Sequence, residues 1–494
     1  MYLSRQTIAQ ILILLSIALL HFFLFIKYLQ HDLILDTTYS YSFFNSDAVF
    51  FNNLSESIVN GESRLSDWVL TGAPRIFPSI ISSLLIVAFS KNNYIAHILL
   101  LMIQLLLFNI LMFYLLSIFT NKRYSLLTIL IIDIFLFFSF TTEPFRYILL
   151  SSHHFDNYLN FLLCTIFFFG IKNKYRFHIY IKGFLLFISS FSNPIFLVCF
   201  TGPVLLKNLL FERFNLQNSI IKNAILLFAS VIGIIMGKLL FAHNNCNVCF
   251  DNTYQEMDKI MFGNIYISLY HIKEFFISHS SFFQNICFAT SFLLPAAYIL
   301  KKRINTKNIK ILNDPKIKLF SFFIISIILS IFCFLFIKIN PQFRHLYVLH
   351  FSFLIVIPII LFKRINNFVN NYYSRISIFT FAFVILLVIS KIDTKKQLNF
   401  EFYPKDIAFI DKTLSNYNVS HGFVKYEFGN RLIFLSNLSL TMIHFHKVKP
   451  LHLWLNKTWI KKKPQFIINL NPIDFGYTDF KTISNNNIFI HILR

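Results

Sequence analysis

A chain of 494 residues that is 56% apolar, 18% aromatic and only 14% charged departs from the roughly 25% charged share of soluble domains. That balance marks a polytopic membrane protein and excludes a cytosolic enzyme, a disordered tail protein and a secreted disulfide scaffold. The 45 Lys plus Arg against 22 Asp plus Glu give a net charge of +23, yet the basic residues cluster in short connectors between apolar runs, so they report topology and no nucleic-acid partner is expected.

The first apolar run, near 8–28, follows Arg5 and lacks a small-residue cleavage site. It reads as an uncleaved first span with its N-terminus inside. Further runs lie near 95–118, 124–141, 157–171, 183–206, 223–242, 283–300, 318–338, 345–362 and 375–391, with a shorter one at 78–90. If every run crossed, the basic connectors Asn121-Lys122-Arg123 and 171–176 would face outward, against the positive-inside rule. Treating 78–90 as a juxtamembrane helix that does not cross puts both inside. The same rule makes 183–206 two short helices that meet at Ser192-Asn193-Pro194 and return to the inner side; the competing reading is one Pro-kinked span. Lys301-Lys302-Arg303 and Lys363-Arg364 mark inner loops, leaving 392–494 outside.

These elements predict an all-α polytopic membrane protein of about 9–11 transmembrane helices, residues 1–391 including an outer loop 30–94, with a small outer α/β domain at 392–494. The strand signals in that domain are Gly422–Tyr426, Phe466–Leu470 and Asn487–Ile492.

Chemistry-bearing residues gather at the outer ends of the spans. In the first outer loop Asp47 opens an amphipathic stretch in which Val49, Phe50, Leu54 and Ile58 share a helical face, the pattern of a helix lying at the membrane interface. A carboxylate there meets substrates whose head groups live at the surface; the competing role is a plain helix cap. Trp68 reads as an interface anchor, and Arg75 as a phosphate contact or a side chain snorkelling to lipid head groups. Glu143 and Arg146 precede His153-His154 and Asp156 at the mouth of the next span, where ionisable residues mark a site by default. The His pair lacks the spacing that aligns two imidazoles on one helical face, so hydrogen bonding to a sugar or phosphate, or a capping role, is favoured over a metal. Arg344 and His345 open another span from the outside. Cys246 and Cys249 leave a disulfide, free thiols and a metal all open, while Cys164, Cys199, Cys287 and Cys333 read as small hydrophobes.

One span, a long outer loop with an early Asp, a Pro-containing juxtamembrane helix, many spans and an outer domain together resemble the GT-C class of polytopic glycosyltransferases. Within it, Phe44-Asn45-Ser46-Asp47-Ala48, Trp68 with Ala73-Pro74 and Phe77-Pro78, His153-His154, Ser192-Asn193-Pro194 and Trp454-Leu455-Asn456-Lys457-Thr458-Trp459 are similar to bacterial membrane proteins of that type. The 65 Phe and heavy Ile, Lys and Asn usage, as in an AT-rich genome, also hint at a bacterium. The resemblance implies a bacterial inner-membrane enzyme that takes sugar from a polyprenyl-phosphate carrier and passes it to a glycan, lipid or protein acceptor outside. It implies Asp47 as catalytic base, Glu143 or Asp156 as a second acidic residue, and Arg75, Arg146 or Arg344 as the charge that meets the departing lipid phosphate. Asn193 stands where the family pattern leads one to expect an Asp in the broken helix, which puts a metal site in doubt and leaves a loss of activity open; no cofactor is certain, and a divalent metal is left open. Two other classes remain: a transporter or flippase of lipid-linked saccharides, which would place ionisable residues at mid-membrane depth, and a non-enzymatic subunit of polysaccharide assembly.

Overall fold

The computed structural model describes residues 4–31, 46–70, 75–90, 92–138, 155–170, 177–211, 216–242, 282–305, 314–336, 347–446, 449–451, 455–456, 458–469, 480–485 and 488–493. Helices dominate it. Among the described residues five are long and apolar enough to cross a membrane: Arg5–Leu29, Asn93–Phe119, Ser219–Leu240, Pro315–Phe332 and Phe351–Lys391. Shorter apolar helices cover Ile76–Phe89, Phe155–Gly170, His178–Ser192 and Leu197–Phe211. A helix satisfies its own backbone N–H and C=O groups, as lipid demands. The first, α1 (Arg5–Leu29), buries Ile13, Leu20 and Phe23 while exposing Ile8, Leu14 and Phe22, the outward apolar face expected against acyl chains.

Six helices frame the polar junctions of the bundle: α2 (Ser46–Val59), α3 (Ile81–Phe89), α4 (Asn93–Phe119), α5 (Lys122–Phe138), α6 (Phe155–Thr165) and α7 (Phe177–Ser192). As expected, α7 stops at Ser192; Asn193-Pro194 breaks the backbone and helix resumes through a wide π-type turn, Leu197–Thr201, into α8 (Gly202–Phe211). Proline lacks the N–H that would continue α7. The seam between α7 and α9 (Leu216–Ala242) is tight because of glycine. A Cβ on Gly233 would sit 2.4 Å from the Phe187 carbonyl oxygen, and one on Gly237 would sit 2.9 Å from that of Phe191. Two glycines four apart let backbones touch, the small-residue mode of packing in membranes.

After α10 (Phe282–Asn305) and α11 (Pro315–Phe336), one finding corrects the sequence reading. The two expected runs 345–362 and 375–391 form one helical stretch, α12 (Tyr347–Lys391), with Lys363-Arg364 inside it. The residues between, Ile365-Asn366-Asn367-Phe368, contain no Gly or Pro to stop a helix. The stretch does not run straight: Phe353 near its start packs on Phe135 of α5, and Val384 and Leu387 near its end share a buried cluster with Ile13 and Leu20 of α1. The middle of α12 lies at the basic end of the bundle. The Tyr124 hydroxyl donates to the Pro358 carbonyl at 2.9 Å, and Asn121 Nδ2 to Asn366 Oδ1 at 2.7 Å, while at the other end Gln30 Nε2 donates to the Asp393 carbonyl at 2.8 Å.

The C-terminal part adds α13 (Lys405–Asn416), α14 (Tyr426–Leu435) and a six-stranded sheet in which β2 (His421–Lys425) lies parallel to β3 (Thr441–His446) on one side and β6 (Phe466–Asn469) on the other. The edges are antiparallel: β4 (Lys449–Leu451) beside β3, and β8 (Ile488–Leu493) with β7 (Phe480–Asn485) beyond β6. This is the expected α/β character. The central β6 is buried along its whole length, as a strand covered on both faces must be.

Two expectations for the first outer loop are overturned by how this unit packs. The apolar face of α2 does not lie on lipid: Phe50, Phe51 and Leu54 are fully buried in a cluster with Trp68, Leu70 and Ile80. Trp68 is likewise no interface anchor, being 2% exposed, with ring centroids 5.6 Å from Phe50 and 5.5 Å from Trp459. Its strand, β1 (Trp68–Val69), pairs antiparallel with β5 (Leu455–Asn456). Burying these rings against one another removes more apolar surface from water than an interfacial position would, and that decides the placement.

Candidate functional site

The site is built where the juxtamembrane turn meets the broken helix. Arg75 has φ 52°, in the left-handed region that non-glycine residues seldom occupy, and such outliers cluster at functional positions. A π-type turn, Ile76–Ile80, follows and leads into α3, with a cis bond at Phe77-Pro78. Ser192, at the end of α7, clamps this turn twice: its carbonyl accepts from Arg75 N–H at 2.9 Å and its Oγ from Phe77 N–H at 3.0 Å. From α6, Asn160 Nδ2 donates to the Phe77 carbonyl at 3.1 Å. Asn193 Nδ2 donates to Asn157 Oδ1 at 2.7 Å, while Asn193 Oδ1 accepts from Ile195 N–H at 3.1 Å and covers part of the backbone that the break exposes.

Asp156 stands in the first turn of α6, fully buried, and the Arg75 guanidinium is its electrostatic partner. Neither carboxylate oxygen accepts a side-chain hydrogen bond among the described residues, and the backbone N–H groups of that first turn lie alongside. A buried carboxylate costs of order several kcal/mol unless it is paired, so Arg75 and Asp156 depend on each other. Arg75 is itself buried, which removes the snorkelling role. Because it already faces Asp156, a lipid phosphate reaching it would share the guanidinium with that carboxylate.

The structure thus brings together Arg75, Asp156 and Asn193, three residues singled out from the sequence. Asp47 is the second residue of α2, whose buried face packs on Ile80 and Ile76 of the turn that Arg75 opens. Glu143, Arg146, His153, His154, Arg344 and His345 lie outside the described residues, as do Cys246 and Cys249. Among the described residues no three His, Cys, Asp or Glu side chains stand close enough to share a metal ion. Sequence reasoning missed Asn160 and Ser192 as partners. The first had a signal in the spacing Asn157-x-x-Asn160, which puts two amides on one face of an apolar helix. Ser192 had none beyond its place before Asn-Pro.

Further polar contacts tie α2 to α14, α3 and α4. Asn53 Nδ2 donates to the Asn430 carbonyl at 2.9 Å, and Ser83 Oγ to Asn52 Oδ1 at 3.3 Å. Glu56, on the same helix, accepts from Asn93 Nδ2 at 2.6 Å; burial pushes its carboxyl above the usual range, and this hydrogen bond opposes the shift.

No protein-family model matches this chain, and no curated protein sequence matches it. Function is therefore argued from the chemistry of the site.

Proposed function

We propose that this protein is a glycosyltransferase of the bacterial inner membrane, with about 9–11 spans and an outward C-terminal domain, that moves a sugar from a polyprenyl-phosphate carrier to a cell-envelope acceptor. The observation that carries the reading is the packing of α2, with Asp47 in its first turn, onto the turn that joins Arg75 to Asp156 and the broken helix. The Arg75 cation and a cluster of amides are gathered at one junction of juxtamembrane elements, with the helix that carries Asp47 packed against it, which suits a donor whose chain lies in lipid and whose sugar lies outside.

In this reaction Asp47 takes the proton of the acceptor hydroxyl as its oxygen forms the new bond to the anomeric carbon. The bond from that carbon to the carrier phosphate breaks, and the lipid phosphate leaves with the electron pair. Arg75 stabilises the charge that develops there, joined by Arg146 or Arg344. Asp156 holds Arg75 in place, and Asn157, Asn160 and Asn193 hold the turn that presents it. A nucleotide-sugar donor fits less well, since such donors are made in the cytosol.

A second reading, transport of a lipid-linked saccharide, is favoured by one observation: His21 and Asp133 lie within the apolar helices α1 and α5. Purified protein in liposomes with a polyprenyl-phosphate-linked radiolabelled sugar separates the two. The transferase reading requires label to leave the lipid for a water-soluble acceptor; movement of intact lipid-linked sugar between leaflets without transfer would replace it with the transporter.

A further inference from the structure

The connector that follows α12 is pinned across one end of the bundle. Gln30 Nε2 donates to the Asp393 carbonyl at 2.8 Å, Asn399 N–H to the Leu29 carbonyl at 2.9 Å, and Asn92 Nδ2 to the Phe400 carbonyl at 3.0 Å. The Phe402 ring then packs against His31 and Tyr94, with centroids 4.8 Å and 6.3 Å away. Leu29 and Gln30 end α1, Asn92 caps α4 and Asp393 lies just past α12, so the connector leaves one membrane-length helix and runs over the ends of two others. It then enters the C-terminal unit, where the Tyr403 hydroxyl donates to Asp411 of α13 at 2.8 Å.

The backbone of this connector is held by the bundle, but two of its side chains stand away from it. Leu398 is 44% and Phe400 56% exposed, and they continue the open apolar side of α12, on which Leu386 and Ile389 are exposed near the helix end. The same end of the bundle receives α3, whose last residue, Phe89, is 89% exposed and comes just before the Asn92 cap. Ile81, Leu85 and Phe89 recur once per turn on the open face of α3, whereas Ser83 and Val87 face inward and are buried. Two stretches of chain far apart in sequence therefore set apolar side chains around the ends of three membrane-length helices. Water disfavours such a rim.

The charges beside it say what covers it. Lys391, Lys395 and Lys396 are exposed along the same connector, and cations next to apolar side chains match the boundary between acyl chains and phosphate head groups. A symmetric contact between two copies of the chain would instead bring this basic patch against itself. We propose that Phe89, Leu398 and Phe400 insert into the acyl layer of a bilayer containing anionic phospholipid, with the three lysines at its phosphates, as a collar at the foot of the C-terminal unit. None of these residues belongs to the Asp47 and Arg75 junction, and the collar stands whichever functional reading holds.

The full-length protein carrying the photocrosslinker p-benzoylphenylalanine in place of Phe89, Leu398 or Phe400, one at a time, tests this in liposomes of equal parts phosphatidylglycerol and phosphatidylcholine. The same group in place of Phe379, an exposed residue within α12, serves as the lipid-facing reference. After irradiation, the intact mass at each of the three positions should shift by one phospholipid, in yield comparable to the reference. No lipid adduct at positions where the reference gives one means a rim that faces water, and a covalent dimer means a second copy of the chain; either overturns the proposal. The adducts should favour phosphatidylglycerol by about fivefold, as one lysine near a phosphate surface gives, and Lys391→Gln with Lys395→Gln and Lys396→Gln should abolish that preference. Equal shares of the two lipids in the protein with its lysines intact, or a preference unchanged without them, would remove the lysines from the contact and overturn the proposal as well.

Discussion

Trp68→Ala should release α2 from its seat. The indole is 2% exposed, touches the rings of Phe50 and Trp459, and donates its N–H to Ser63 Oγ at 2.8 Å. Truncating a buried Trp to Ala costs about 3–5 kcal/mol. Most of that loss falls on the contact of α2 with β1 and the 455–461 segment, because Phe50, Ser63 and Trp459, which the indole touches, lie in or beside these elements. At about 1.4 kcal/mol per tenfold, a loss of about 4 kcal/mol raises the open population of this contact close to a thousandfold, capped by its total stability. Hydrogen exchange read by mass spectrometry on protein in nanodiscs measures it. Exchange across Ser46–Val59 should accelerate by two to three orders of magnitude, on the order the opening energy sets, with α5 unchanged as the internal control. Trp68→Phe keeps the ring packing and loses one hydrogen bond, about 1 kcal/mol, so its acceleration should be about tenfold or less. Unchanged exchange over α2 in Trp68→Ala would refute the reasoning, since α2 would then be held by lipid.

Arg75→Ala leaves the buried Asp156 carboxylate without its cation and should lower stability by about 3–5 kcal/mol, whereas Asp156→Asn, which removes the charge that needs pairing, should cost less; thermal melts in detergent rank the two, and the reverse order contradicts the pairing. Gly233→Ala drives a Cβ into the Phe187 backbone and, despite alanine's better helix propensity, should cost about 1–3 kcal/mol in melts in detergent; a melting temperature equal to or above wild type contradicts the close approach. The C-terminal unit should weaken in acid: burial lowers the affinity of His421 and His491 for protons below the ordinary histidine value. The unfolded chain therefore binds more protons as pH falls below about 6.5, and stability present above that value is lost toward the folded-state values. A melting temperature that rises on acidification from about pH 7.5 to about pH 5.5, with no drop recovered in His421→Gln, would contradict it.

What could be read from the sequence was whatever local chemistry dictates. Ser192-Asn193-Pro194 announced a break because proline has no N–H to give, and the short β-rich runs of the last hundred residues announced strands. Arg75, Asp156 and Asn193 stood out as polar residues beside apolar runs, and three distant stretches of chain do bring them to one place. Their mutual partners were invisible, because pairing across such separations depends on packing that no spacing encodes. The same holds for Trp68, whose neighbour Trp459 lies almost four hundred residues on, so its role was read from lipid rather than from the C-terminal unit that covers it. His21, Asn109 and Asp133, which meet in a hydrogen-bonded contact of α1, α4 and α5, were overlooked for a different reason: each is a single polar residue in an otherwise apolar run, and only their convergence makes them conspicuous. The Gly233-x-x-x-Gly237 spacing did carry a readable signal for close helix packing. At Lys363-Arg364 the charge rule grouped this stretch with the basic connector at Asn121, which Asn366 does meet, but did not foresee the continuity of the helix through it.

The most direct measurement of the central claim compares lipid-linked sugar and surface glycan in cells that lack the chromosomal copy and carry either the wild-type protein or Asp47→Asn, at equal levels in the membrane. The account predicts that Asp47→Asn loses transfer by about a hundredfold or more, with lipid-linked sugar accumulating and the glycan missing. Full restoration of the glycan by Asp47→Asn would contradict it.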